Sequence, residues 1–130
     1  MTTSSTSPIT SLVAVTIDSP DAARLAQFYA DLTGGEVTGL YPEYGFAEAT
    51  VAGQTSNFQT VESFTAPQWP SQGHPQQFHL DFRVDDLDAA IQRTTDLGGR
   101  IAEVQPEGAT WTVALDPDGH PFCLCPPSDN

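Results

Sequence analysis

Lysine does not occur in this sequence. Its only basic residues are Arg24, Arg83, Arg93 and Arg100, set against seventeen acidic ones. The resulting formal net charge of −13 repels phosphate backbones and anionic lipid, which disfavours nucleic-acid and membrane-surface roles. Without a lysine ε-amine no side chain offers Schiff-base chemistry. Long apolar runs are missing too, and none approaches the roughly 20 residues of a membrane span. The opening MTTSSTSPIT has neither the basic start nor the apolar centre of an export signal. Residues 1–10 are therefore expected to form a disordered lead and the cytoplasm is the expected location. Cysteine is scarce: Cys123 and Cys125 stand two apart near the end. That spacing matches neither a zinc ribbon nor CxxC redox chemistry, and free, partly buried thiols are expected.

At 130 residues with 38% hydrophobic content, the chain suits one domain with a real core. What organises it is an internal repeat. Ile17-Asp18-Ser19-Pro20-Asp21-Ala22-Ala23 is echoed by Val84-Asp85-Asp86-Leu87-Asp88-Ala89-Ala90, and Asp31-Leu32-Thr33-Gly34-Gly35 by Asp96-Leu97-Gly98-Gly99. The separation falls from 67 to 64 residues across each copy.

Each copy reads as a strand, a helix and three more strands. In the first, Leu12 to Asp18 alternates like a strand. Ser19 suits an N-cap with Pro20 at the first helical position. Leu25, Ala26, Phe28, Tyr29 and Leu32 form the apolar stripe, and Gly34-Gly35 stops the helix. Strands are expected over about 37–40, 45–51 and 55–60. In the second copy, Phe78 to Val84 is a strand and Asp86 begins a helix. Further strands are expected over about 100–104, 110–115 and 121–125, the last two joined by the turn Asp116-Pro117-Asp118-Gly119. Module one is thus set at about 11–61 and module two at about 77–126. Between them lies a Pro/Gln/Ser-rich linker, 62–76, expected to pack on the body; a tail follows at 127–130.

Such an α+β arrangement covers one face of each sheet with a helix. Two βαβββ modules placed edge to edge make a curved mixed sheet with helices outside and a concave cup, where a ligand would sit. On the strand from Phe78 to Val84, alternation sends Leu80, Phe82 and Val84 toward the helices and His79, Asp81 and Arg83 into the cup. Through the repeat, His79 corresponds to Leu12 and Cys123 to Gln59. Trp69 and Trp111, with Tyr44 and Phe46, can supply apolar pocket walls for a planar ligand, or simply close the core. His74 and His120 fall in the linker and in a turn, and His120 reads as structural.

The stretch from His79 to Ala90, the ending Asp116-Pro117-Asp118-Gly119-His120-Pro121-Phe122 and the helical Phe28-Tyr29 resemble the vicinal-oxygen-chelate superfamily. That group contains glyoxalase I, extradiol dioxygenases, and fosfomycin- and bleomycin-resistance proteins. The resemblance covers about residues 11 to 126. It implies the cup-shaped fold, a small-molecule ligand, a homodimer and, in the enzymes, a divalent metal acting as Lewis acid. It places His79, Gln59 and Cys123 at metal-ligand positions, with Leu12 at a fourth where no ligation is possible. The expected function is small-molecule binding of the glyoxalase/bleomycin-resistance type without a complete metal site. Two alternatives stay open: a metal-dependent lyase, isomerase or dioxygenase, and a scaffold with a vestigial cup. No catalytic residue is assigned. A Cys123–His79 nucleophile pair lacks both a third orienting group and an oxyanion motif. The lysine-free, Ala/Asp/Pro-rich composition suggests a bacterial source.

Overall fold

The computed structural model describes residues 7–127. Parts of the expected lead and tail, 1–6 and 128–130, lie outside the described residues. The first module comprises β1 (Val15–Ser19), α1 (Ala22–Thr33), β2 (Val37–Tyr41), β3 (Phe46–Val51) and β4 (Gln54–Thr60). The second comprises β5 (Leu80–Arg83), α2 (Leu87–Asp96), β6 (Arg100–Ile101), β7 (Thr112–Leu115) and β8 (Pro121–Cys125). Each builds a four-stranded mixed sheet, in the orders β1-β4-β3-β2 and β5-β8-β7-β6. In both, the first strand runs parallel to the last while the other pairs are antiparallel. This is the α+β fold of two βαβββ units expected from the repeat. Among the described residues no ladder joins β1 to β5, so the two sheets meet without sharing backbone hydrogen bonds.

What joins them is α1. It buries Ala22, Leu25, Ala26, Phe28, Tyr29 and Ala30, a stripe at the spacing a helix needs to face one way. Ala47 and Ala49 of β3 are fully buried, and their small side chains let the helix approach its own sheet. Phe28 and Tyr29 reach further. Tyr29 stacks on Phe58 of β4 and meets Phe82 and Phe122 of the second sheet, while Phe28 packs edge-on against Phe122. Each such ring removes apolar surface from water at about 1.5–3 kcal/mol. The second helix buries only Thr94 completely, so the core is centred on α1. Its end follows the sequence: Gly34 adopts a left-handed C-cap at φ 74°, as the rule for helix stops requires. Gly35 lies so close to the Thr50 carbonyl oxygen that a Cβ would sit 1.9 Å from it.

Several boundaries differ from expectation. β1 begins at Val15, leaving Leu12 outside the strand and 83% exposed. The N-cap of α1 is Asp21, whose carboxylate accepts from Arg24 N at 3.2 Å. Ser19 is drawn elsewhere: its hydroxyl accepts from Asp21 N and donates to Asp118 Oδ2 at 2.6 Å. β6 stops at Ile101 because Gln105 replaces the ladder, its amide donating to the carbonyls of Ala102 and Val113 and accepting from Val113 N. The matched N-caps are Asp21 and Asp86, 65 residues apart. Carried across the ladders, in which Ile17 pairs with Phe58 and Phe82 with Leu124, this match sets β4 against β8 at a separation of 66. His79 therefore corresponds to Ala14, not Leu12, and Cys123 to Asn57, not Gln59. Aligning Ser19 with the second cap displaces the β1–β5 match by two residues, and matching Phe58 with Phe122 displaces the β4–β8 match by two in the opposite sense.

The turn between β7 and β8 is the second tie between modules. Asp116 is fully buried. It accepts from the Tyr29 hydroxyl at 2.6 Å, from the backbone N–H groups of Asp118 and His120, and from the His120 ring at 2.8 Å. Asp118 takes the Ser19 hydroxyl and an ion pair from Arg24. Three donors of module one thus end on two carboxylates of module two. Burial, with the Asp116 charge beside it, holds the Tyr29 phenol well above its ordinary 10.0, so it remains a donor. Burial pulls the His120 imidazole down, but hydrogen bonding to Asp116, the charges of Asp116 and Asp118 and the Asp18 backbone outweigh it. The net result is above 6.5.

Two outcomes follow from this turn. Tyr29→Phe removes one donor from a buried carboxylate and should cost about 1–3 kcal/mol in denaturant unfolding. Because the folded-state pKa of His120 is raised, its stabilisation is complete below the unfolded value and is lost as pH rises through the folded one. Melting temperature should therefore fall as pH is raised through and above 6.5, and His120→Gln should flatten that slope. An unchanged slope in the variant would show that His120 contributes nothing to the tie.

Candidate functional site

The concave face of the second sheet carries the chemistry. On β5 and just before it, Leu80 and Phe82 pack with the helix-side core, which turns His79 and Asp81 the other way. On β8, Phe122 and Leu124 join that core while Cys123 falls with Ala102, Val113 and Trp69 on the opposite face. The parallel pairing sets Asp81 beside Cys123. His79 Nε2 lies 3.1 Å from Asp81 Oδ1. One ligand atom from each of His79, Asp81 and Cys123 falls within 4.8 Å of the others.

This cluster lines a cavity of about 390 Å³ with Trp69, Gln76, Pro106, Trp111, Val113, Pro121 and Cys125. Both tryptophans of the chain are there. Trp69 comes from the segment between modules and Trp111 from just before β7, where it is 43% exposed. Burial above all, then hydrogen bonding to Asp81 and its negative charge, push the Cys123 thiol up to about 12. Cys125 is also raised, again chiefly by burial. Neither is a thiolate near neutral pH, and a nucleophilic role for Cys123 has no activating cation to support it.

Other residues singled out from the sequence lie apart from this cluster. Gln59 donates its amide to the carbonyls of Tyr44, Gly45 and Thr60, and it lines neither this cavity nor the two others described below. Arg83 donates to the Pro126 carbonyl at 2.6 Å and faces a separate groove beside Leu32, Ala89 and Arg93. Leu12 is exposed. In the corrected register, the first module places Ala14, Thr16 and Asn57 where the second has His79, Asp81 and Cys123. The reactive side chains therefore belong to one module. Of the four expected metal positions, Leu12 has no donor atom, and Gln59, whose Nε2 donates to three carbonyls of its own module, does not line the cavity of the His79–Asp81–Cys123 cluster.

A second cavity, of about 480 Å³, occupies the seam between the unpaired edges of β1 and β5. Val15, Ile17, Phe64, Phe78 and Leu80 line it, with Tyr29 and His120 from the tie described above. Phe64 packs on the His120 ring at 5.5 Å. Sequence reasoning missed this space, because alternation assigns residues to faces and not to the gap between two edges. It also missed Gln76, which borders both cavities. A lone Gln in a polar stretch carries no periodic signal.

The glyoxalase-like domain family matches residues 14–125. The chain belongs to this family. Among solved structures, one similar fold is a glyoxalase/bleomycin resistance protein/dioxygenase family enzyme from Burkholderia phytofirmans. It has 18% identity and a TM-score of 0.68, over 90% of this chain and 98% of that one. The fosfomycin resistance protein FosX from Listeria monocytogenes gives 17% identity and 0.67, over 93% and 96%. A glyoxalase family protein from Enterococcus faecalis gives 22% and 0.62, over 89% and 97%. At such identities the likeness is one of fold. No curated protein matches the sequence. No helix among the described residues is long and apolar enough to cross a membrane.

The state of the glyoxalase-like cluster is open to direct measurement. At pH 8, iodoacetamide should leave Cys123 unmodified in the folded protein and alkylate it fully in denaturant, as read by peptide mass spectrometry. Asp81→Asn removes one of the groups that hold the thiol neutral and should speed the reaction in the native state.

Proposed function

We propose that this chain is a small-molecule binding protein of the glyoxalase/bleomycin-resistance type. Its ligand sits in the cavity bounded by Trp69, Trp111, His79, Asp81 and Cys123. The observation that carries this reading is the convergence of two tryptophans and an ionisable pair on one concave face. Large apolar walls with a few placed polar groups are the usual make-up of a ligand cavity, and about 390 Å³ lies within the usual range of volumes. Tryptophan faces favour a planar or cationic group, while the carboxylate and imidazole orient it. A homodimer accompanies this reading. Support comes from the exposed Leu12 and Val13 just before β1, apolar surface of the kind that marks an interface. A cytoplasmic, bacterial setting fits the charge and composition.

A second reading has one observation in its favour, the three donors of the His79–Asp81–Cys123 cluster. A nitrogen, oxygen and sulfur set suits zinc better than magnesium or calcium. Metal binding there would have to displace the Cys123 proton, at a cost set by its high pKa. Such an ion would act as a Lewis acid toward a substrate oxygen in a lyase or isomerase.

Because the chain has only two tryptophans, both at the cavity, their fluorescence reports on it directly. Screening planar aromatic and peptide-like compounds against the full chain should yield ligands that shift this emission and raise the melting temperature. Trp111→Ala should weaken them about tenfold, equivalent to some 1.4 kcal/mol. A screen without a single binder would leave only a scaffold. For the second reading, zinc titration of tag-free protein should release a proton and be lost in His79→Ala; no stoichiometric uptake by the unaltered protein would eliminate it.

A further inference from the structure

The two cavities are not independent. Gln76, His79 and Pro121 line both of them, so the tryptophan cavity and the seam cavity adjoin at these three residues, a waist with one lobe on either side. At that waist the Gln76 side-chain oxygen is buried without a hydrogen-bond partner. An acceptor removed from water with nothing to accept is destabilising, and a donor arriving with a ligand would satisfy it.

The lobes differ in character. The seam lobe is walled by Val15, Ile17, Phe64, Phe78 and Leu80, an apolar lining with room for a chain or ring. The other lobe has two tryptophan faces beside the exposed Asp81 carboxylate. Among the described lining residues of both lobes, the only acidic or arginine side chains are Asp18 and Asp81. Arg83, the one guanidinium on β5, is turned to the Pro126 carbonyl instead. A carboxylate with aromatic faces is the recognition set for an organic cation.

We infer that the ligand of this cleft is an elongated organic cation, its onium head against Trp69, Trp111 and Asp81 and its apolar tail in the seam between β1 and β5. This rests on the binding reading above and adds the chemical class and the second lobe. A ligand that also carries a hydrogen-bond donor between head and tail would gain further affinity by facing the unpartnered Gln76 oxygen. The two carboxylates and the overall charge of −13 disfavour anionic ligands, although His74, His79 and His120 also line the lobes and His79 pairs with Asp81.

Four probes test this on the full chain by calorimetry and tryptophan fluorescence: 4-phenylbutyltrimethylammonium, tetramethylammonium, 4-phenylbutanol and 4-phenylbutanesulfonate. The first should bind at least tenfold tighter than the second or third, and the sulfonate should not bind. Asp81→Asn should cost the ammonium probe about tenfold and leave phenylbutanol unchanged. Val15→Tyr, which narrows the seam lobe, should weaken the phenylbutyl probe but not tetramethylammonium. Both sites are partly exposed, and circular dichroism of the variants confirms folding. Equal affinity for the ammonium and sulfonate probes, or no gain from joining head to tail, overturns the inference. If planar neutral compounds bind while the ammonium probe has no advantage, the ligand class is wrong and the binding function stands. If nothing perturbs the tryptophans, both fall.

Discussion

Two buried carboxylates hold this molecule together. Asp116 and Asp118 sit in the β7–β8 turn and are approached by Ser19, Arg24 and Tyr29 from the other module, with His120 closing the ring from their own. An ionised group costs several kcal/mol to bury, and it is tolerated here because nearly every acceptor position is filled. The arrangement is specific as well as strong. Removing any one partner leaves the carboxylates short of donors in a place water does not reach. Modules related only by a repeat could dock in several ways, whereas a turn that must receive a serine, an arginine and a tyrosine at set places admits few.

That tie decides the shape of the cleft. The modules are held by α1 and by the turn, not by a ladder between β1 and β5. Tyr29 serves both attachments, its ring in the aromatic core and its hydroxyl on Asp116. With the edges left unpaired, the seam becomes space, and the tryptophan cavity adjoins it at His79 and Gln76. Structural tie and seam cavity therefore share a wall. His120 and Tyr29 face the seam with one side and the carboxylates with the other.

The asymmetry between modules has an equally local origin. The two copies fold alike, yet the second presents His79, Asp81 and Cys123 where the first presents Ala14, Thr16 and Asn57. Two symmetric half-sites are thereby reduced to one polar lobe, and the first module contributes apolar wall through Val15 and Ile17. The high pKa of Cys123 fits this division, since a buried neutral thiol beside a carboxylate behaves as lining and not as a nucleophile.

The residues themselves determined the fold. The repeat, the 3.6-residue stripe of α1, the Gly34-Gly35 stop and the alternation around Leu80 and Phe82 are local patterns, and local patterns are legible because periodicity translates directly into faces. The same alternation put His79 and Asp81 together on the concave side. Only the tertiary structure decided the rest: that Asp21 and not Ser19 caps α1, that the repeat runs at 65 residues between β1 and β5 and at 66 between β4 and β8, that Gln59 and Arg83 lie apart from the cluster, and that Gln76 borders both cavities. Each depends on what lies across space from the residue. Ser19 is not the cap: its oxygen accepts from Asp21 N and its proton goes to a buried carboxylate ninety-nine positions later, and no window along the chain contains both partners.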